Sequence, residues 1–541
     1  MTVVSPARRV TVRSLPAVLA ITLTTGTAGC STAAGGVSAD TGVPRPGGAL
    51  RIGVSEDPVC LDPPQANFAS AVNVMRQLFD SLTDQDPRSG EIKPWLATSW
   101  EIDARATSFT FHLREGATFS DGAPVDARAV KANLDEVVKL GAKSLFASTY
   151  LSGYKGTTVV DARTARVEFA QPNIQFLQAT ATTSLALSSP ASLARPAADR
   201  CRAPVGSGPF VLDRWQTNQS VSVKKRSGYA WGSSLSAHRG EAYLDSVEFR
   251  IVPEQGVRSG VLTSGQVDAI TDVQPVTERQ FRGGGFQVLS RHNPGLPYAL
   301  YPNTFRPLLG DEAVRRAISK GIDREQVVKV VLTPTYRPAT SILTGTTPAY
   351  LDQRDRLAHD PAGAAALLDG AGWRPGPDGI RVKDGVKLSP NVYFTTGFNP
   401  NTTILELLRQ QLRVIGVDLQ LRPVDAAGFG AAQKNGLIDF RWGNSTRADP
   451  DILRTVFSTK FSAAAYLPPS DLDGELEKQV TALDQAGRAK VVGEIQRIVL
   501  DRGYAVPVFE LAQVVGVSRR VHGLTLDPSV RLRLLDTWLA R

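Results

Sequence analysis

Leu50, Ile52 and Val54 alternate with Ala49, Arg51 and Gly53 near the start of the patterned chain. A period of two places one face on a core, so this run predicts a strand. An irregular piece with Pro58, Pro63 and Pro64 follows, and then Val74, Leu78 and Leu82 recur at helical spacing, predicting a helix from about Ser70 to Leu82. Alternation returns in Phe109-Thr110-Phe111-His112-Leu113, a second predicted strand, before a turn at Phe119-Ser120-Asp121-Gly122. Asp126 stands as an N-cap ahead of Val130, Leu134 and Val137, the stripe of another helix. Farther on, Val314, Ala317 and Ile318 form a buried helical stripe with Arg315 and Arg316 placed outside. Strand and helix patterns interleave to the end without an internal repeat, which predicts an α/β chain.

The first thirty residues have a different pattern. Arg8, Arg9 and Arg13 precede the apolar run Leu15 to Leu23, and Thr27-Ala28-Gly29 ends in Cys30. A basic n-region, an apolar h-region and a small-residue site make a secretory signal over 1–29. A cysteine directly after the small residues resembles the bacterial lipobox, whose cysteine is acylated, although Thr27 stands where Leu is preferred. The alternative is an ordinary cleaved signal followed by a chance cysteine. Residues 30–46, rich in Ser, Thr, Ala and Gly, read as a tether. The pair Arg8-Arg9 admits twin-arginine export, but the rest of that pattern is poor and favours the Sec route.

The chain has 541 residues, enough for two or three lobes after export. Its net charge of +9 falls to about +6 without the three n-region arginines, and the remaining basic residues are scattered. The short cluster Lys224-Lys225-Arg226 reads as a solvated strand end, so nucleic-acid binding is not expected. No later segment approaches the roughly 18 apolar residues of a membrane span, so a lipid would be the only membrane attachment. With Cys30 acylated, Cys60 and Cys201 are left, and in an oxidising compartment they pair or stay as separate buried thiols.

Catalytic signatures are poor. The five histidines (His112, His238, His292, His359 and His522) are scattered without a metal-ligand spacing, and neither metal nor cofactor is expected. Ser222 and Lys225 form a Ser-x-x-Lys that no Lys-Thr-Gly follows, and no Gly-x-Ser-x-Gly elbow occurs. A secreted hydrolase is the weaker reading; a binding protein is the stronger.

Several blocks stand out in order along the chain: Gly48-Ala49-Leu50-Arg51-Ile52-Gly53, Leu61-Asp62-Pro63, Leu78-Phe79-Asp80-Ser81-Leu82-Thr83 and Ser99-Trp100-Glu101. The run Thr110 to Gly122, Pro204-Val205-Gly206-Ser207-Gly208-Pro209-Phe210, Ile322-Asp323-Arg324, Ala371-Gly372-Trp373 and Ala448-Asp449-Pro450-Asp451 continue the order. Together they resemble the extracytoplasmic solute-binding proteins of ABC transporters, family 5, the oligopeptide, dipeptide and nickel type. The resemblance implies a two-lobed, periplasmic-binding-protein-like α/β fold that closes on a hinge. Lobe I would comprise 47–85, 205–295 and 505–541, an inserted subdomain 86–204, and lobe II 296–504. It also implies a monomer that captures a solute, most simply a short peptide held by main-chain hydrogen bonds, and passes it to the permease. A metal chelate, glycoside or small organic acid is the alternative ligand.

By position in the family, Trp442 and Asn444 would wall the cleft, with Phe68 and Tyr298 facing it. Peptide binders carry a carboxylate three residues before the Asp-Pro pair to hold the ligand amine; here Thr446 stands there and Arg447 follows. Asp449 could replace it or cap a helix starting near Pro450, and Arg447 could hold a ligand carboxylate or be a solvated loop charge.

Overall fold

The computed structural model describes residues 42–540, apart from 67, 145, 397, 399 and 461–465. The signal, Cys30 and most of the tether therefore lie outside the described residues. Among the described residues three sheets of four or more strands organise the fold. The first strand, Ala49–Val54, sits inside a seven-stranded mixed sheet, parallel to Ser246–Ile251 on one side and to Ala269–Ile270 on the other. Its alternation is expressed as expected: Leu50 and Ile52 are fully buried in the core that this sheet shares with helix Ala69–Leu78. That helix is shorter than its periodicity predicts. The backbone turns extended at Phe79, whose N–H still donates to the Met75 carbonyl, and Leu82 joins a separate core.

A six-stranded sheet runs in the order Arg337–Pro338, Val506–Glu510, Gly295–Pro302, Phe440–Thr446, Asn391–Thr395, Gln420–Val424. Every residue of Gly295–Pro302 and Val506–Glu510 is buried, as in strands covered on both faces. A four-stranded antiparallel sheet includes Ser108–Leu113, where Phe109 and Phe111 face inward. It is covered by helix Ala127–Leu140, whose Asp126 side chain accepts the Ala129 N–H at 2.9 Å.

Two strand pairs pass between the large sheets. Gln287–His292 continues into Gly295–Pro302, and Val506–Glu510 continues into Ala512–Val517. The Asn293 N–H donates to the Leu511 carbonyl at 2.8 Å, tying the crossings side by side. The return crossing passes through Leu511, since Val506–Glu510 pairs with Gly295–Pro302 in one sheet and Ala512–Val517 with Gln287–His292 in the other.

The glycines of the Gly206-Ser207-Gly208 turn serve close approach. A Cβ on Gly206 would fall 2.1 Å from the Leu78 carbonyl oxygen, and the Gly208 N–H donates to that oxygen at 2.9 Å. Nearby, Cys60 and Cys201 are disulfide-bonded across a sequence separation of 141. One expectation needs correction: Arg315 points inward. Its guanidinium donates to the Leu309, Gly310 and Arg502 carbonyls, satisfying helix-end and loop acceptors that would otherwise be buried unpaired, while Arg316 stays outside.

Candidate functional site

The crossings border a cavity of about 760 Å³. From the six-stranded side it receives Tyr298, Tyr336, Phe398 and Asn444; from the seven-stranded side, Ser55, Glu56, Phe68, Glu254, Arg258 and Asp272; Leu511 to Val514 form its floor. Tyr298 reaches it from the centre of strand Gly295–Pro302, its ring stacked on Phe509 at 4.8 Å and on Phe398 at 5.6 Å. Burial pushes the Tyr298 hydroxyl up to about 12, so at neutral pH it is a neutral hydrogen-bonding group. Phe68, the N-cap residue of helix Ala69–Leu78, is 65% exposed, a large apolar ring offered to whatever enters.

Three of the four charged side chains on this wall are acidic. Asp272, held at φ 57°, accepts from the Ser55 and Thr271 hydroxyls and from the Gln513 amide at 2.8–3.0 Å. Glu254 caps helix Gln255–Thr263, and the N–H groups of Gly256 and Val257 hold its carboxyl below the ordinary value. Among the described residues no cationic side chain stands within ion-pairing distance of Glu56, Glu254 or Asp272. Arg258 is buried and donates to the carbonyls of Val252, Pro253 and Thr271 and to Gln255, so its charge is tied to the protein.

The residues singled out in the sequence divide among three places. Phe68, Tyr298 and Asn444 meet around the large cavity. Trp442 is 5% exposed; its indole N–H donates to Asn401 Oδ1 at 2.8 Å, its ring packs against Tyr298, and it also lines an adjoining cavity of about 250 Å³ with Asn444. It is thus a core residue with access to the cleft, not a wall open to water. Thr446 and Arg447 line a smaller cavity of about 100 Å³ beside helix Ala69–Leu78.

Arg447 is 3% exposed, which excludes a solvated loop charge. It donates to Gln175 and Thr455 at 3.0 Å each, pairs with Asp451 at 3.3 Å and lies over the Tyr150 ring. Asp449 lines none of these cavities. Both its oxygens accept from Arg488 of helix Gln485–Asp501, at 2.6 and 2.9 Å, and it also takes the Asp451 N–H ahead of helix Ile452–Phe457. The acids Glu56, Glu254 and Asp272 escaped sequence reasoning because they come from three separate loops with no shared motif; only Phe68 pointed to this side.

Two sheet-bearing lobes joined by paired strand crossings, with a partly open cleft beside them, define a two-lobed periplasmic-type binding protein. The chain belongs to the bacterial extracellular solute-binding proteins, family 5, whose middle-region model matches residues 91–464. It is similar to the glutathione-binding protein GsiB of Salmonella paratyphi A, 26% identical over 501 residues, covering 88% of this chain and 92% of that protein. Its fold matches NikA of Brucella suis in complex with Fe(III)-EDTA, with a TM-score of 0.80, 23% identity and coverage of 91% of this chain and 100% of NikA. It likewise matches the Bacillus subtilis oligopeptide-binding protein AppA with a nonapeptide, with a TM-score of 0.76, 20% identity and coverage of 92% and 100%. The protein is therefore an extracytoplasmic substrate-binding component of an ABC importer, in a family of solute binders rather than enzymes.

Proposed function

We propose that this protein captures short peptides between its lobes and delivers them to its permease as a monomer. The observation that carries the reading is the 760 Å³ cavity, which combines aromatic walls, an extended backbone floor and carboxylates that, among the described residues, no cationic side chain approaches to ion-pairing distance. Asp272 supplies from the opposite lobe the negative charge that the family places at the position of Thr446. An ammonium group is the natural partner of such a carboxylate, and the floor at Leu511 to Val514 suits main-chain pairing with an extended ligand. Relatives that bind glutathione and a nonapeptide support the peptide class. A non-peptide chelate is the second reading, favoured by the missing carboxylate at Thr446 and by the Fe(III)-EDTA complex of NikA.

A thermal-shift screen of the mature protein against di- to hexapeptides, metal chelates and sugars separates the two. At a hundredfold excess over the dissociation constant the true ligand class is expected to stabilise the protein by about 2.7 kcal/mol. Stabilisation by chelates alone would favour the second reading.

The same proposal includes attachment to the outer face of the membrane through acylated Cys30. Among the described residues no helix is long and apolar enough to cross a membrane. Cys30→Ala is expected to move the protein from the membrane fraction to the soluble one once the signal is removed; retention of the processed variant in the membrane would contradict the anchor.

A further inference from the structure

Helix Pro275–Gly283 belongs to the seven-stranded side. It packs on Gln287–His292 and Ala512–Val517, and its Phe281 presses on Gly516, where a Cβ would fall 2.7 Å from the ring. Residues 332–336 belong to the other side. They join helix Arg324–Val331 to Arg337–Pro338, the outer strand of the six-stranded sheet beside Val506–Glu510. The two pieces meet through one acid.

Glu278 is fully buried, and it turns from its helix towards the opposite segment. Its Oε2 accepts the Thr333 hydroxyl at 2.7 Å, and its Oε1 accepts the Thr335 hydroxyl and the Arg282 Nε–H, the latter at 2.9 Å. Arg282 also donates to the Thr335 hydroxyl at 3.0 Å, and Arg279 to the Leu332 carbonyl at 2.6 Å. Pro334 shapes the turn between the two threonines, which the Tyr336 N–H closes on the Thr333 carbonyl at 2.9 Å. That turn presents both hydroxyls to a single carboxylate.

Both ends of this contact lead into the cleft, although Glu278, Thr333 and Thr335 do not line it. Val273 and Gln274, just ahead of the helix, face the 760 Å³ cavity from one side, and Tyr336, just after the turn, from the other. A buried carboxylate is stable only while its donors stay in place. Separating the two sheets would strip Glu278 of both hydroxyls, whose charge-assisted bonds are stronger than neutral ones. The contact therefore resists opening.

We infer that Glu278 is a positioning residue for solute capture. By gripping Thr333 and Thr335 across the two large sheets, it holds the closed arrangement and sets the affinity and residence time of a solute it never touches. The inference rests on the proposed capture between the lobes and is independent of the ligand's class.

The test measures the separation of the lobes by pulsed electron spin resonance in the processed Cys30→Ala protein, with spin labels on Lys224→Cys and Val414→Cys. Both positions are exposed and far from the crossings. Lys224 lies on the second strand from the outer edge of the seven-stranded sheet, and Val414 ends a helix packed on the outer strand Gln420–Val424. Without ligand, the parent is expected to populate the separation of this structure. Thr333→Val with Thr335→Val should lower its ratio to longer separations about 10- to 100-fold, the range of one charge-assisted hydrogen bond. Thr333→Ser with Thr335→Ser keeps both hydroxyls and should restore the parent distribution. Thr333→Val alone gives a smaller shift of the same sign, should the double variant fail to fold. With trialanine as probe, the valine variant should release the peptide correspondingly faster, with association little changed. Equal separations in the parent and the valine variants would overturn the inference, as would a serine variant that behaves like the valine one. A lower melting temperature without a change in separation would also overturn it, since that marks a merely structural contact. Failure of trialanine to bind the parent counts against peptide capture alone, because the separations are read without ligand.

Discussion

Replacing both Cys60 and Cys201 by serine is expected to destabilise the protein by about 4–5 kcal/mol, because the lost bond closes a loop of 141 residues. The native geometry should survive the change. The Leu61 N–H still donates to the Cys201 carbonyl at 2.9 Å, and buried Arg200 still bridges Asp62 and Glu136 at 3.3 and 2.9 Å. The penalty therefore arises in the unfolded chain, which regains the freedom to separate the start of the seven-stranded sheet from the segment that re-enters it. Denaturant titration of the double variant beside the oxidised parent measures the difference. Coincident curves would mean that the bond contributes nothing, and quantitative labelling of both thiols in the denatured, unreduced parent would mean that it does not form.

Asp449→Ala is expected to cost about 3–5 kcal/mol, the range for removing one partner of a buried ion pair. The variant would leave Arg488, 3% exposed, with Gln479 as its remaining acceptor. Most of that loss is the penalty of a stranded charge, so Asp449→Leu with Arg488→Met should recover the larger part of it. The pH dependence has a definite sign. Burial pushes the Asp449 carboxyl up, but the charge and hydrogen bonds of Arg488, with Arg447 behind them, outweigh it and leave its pKa lowered. A depressed folded pKa gives stability that is complete above the unfolded value of about 3.9 and is lost as pH falls through the folded value. The gap between the parent and Asp449→Asn should therefore be constant near neutrality and narrow below about pH 4. Ligand affinity of the folded variant decides the rest: a carboxylate engaged by Arg488 leaves it unchanged, whereas a collapse in affinity at constant folded fraction would return Asp449 to the ligand.

Local pattern carried the fold further than the site. Alternation placed Ala49–Val54 and Ser108–Leu113, and the Asp126 cap placed Ala127–Leu140, because each signal is complete within a few residues. The block with Gly206 and Gly208 stood out by resemblance alone, because the partner that demands its glycines, the Leu78 carbonyl, lies far away in sequence. Arg315 was misjudged because a helical wheel ranks side chains by polarity, and the carbonyls of Leu309, Gly310 and Arg502 that accept from it come from outside its own helix. Partners of charged groups failed to show for the same reason: Asp449 and Arg488, away from the cleft, are 39 positions apart, and Asp272, on its wall, meets Gln513 across 241. Resemblance supplied Phe68, Tyr298 and Asn444, but only packing separates a tryptophan held by Asn401 from one facing open water.

The central claim, capture of a short peptide in the cleft, is tested most directly by calorimetric titration of the mature, unliganded protein with trialanine and mixed tri- to pentapeptides. The account predicts saturable binding of one peptide per chain, with a negative heat-capacity change from enclosing apolar surface against Phe68, Tyr298 and Phe398. Saturation by a metal chelate or sugar, with no heat from any peptide, would contradict it.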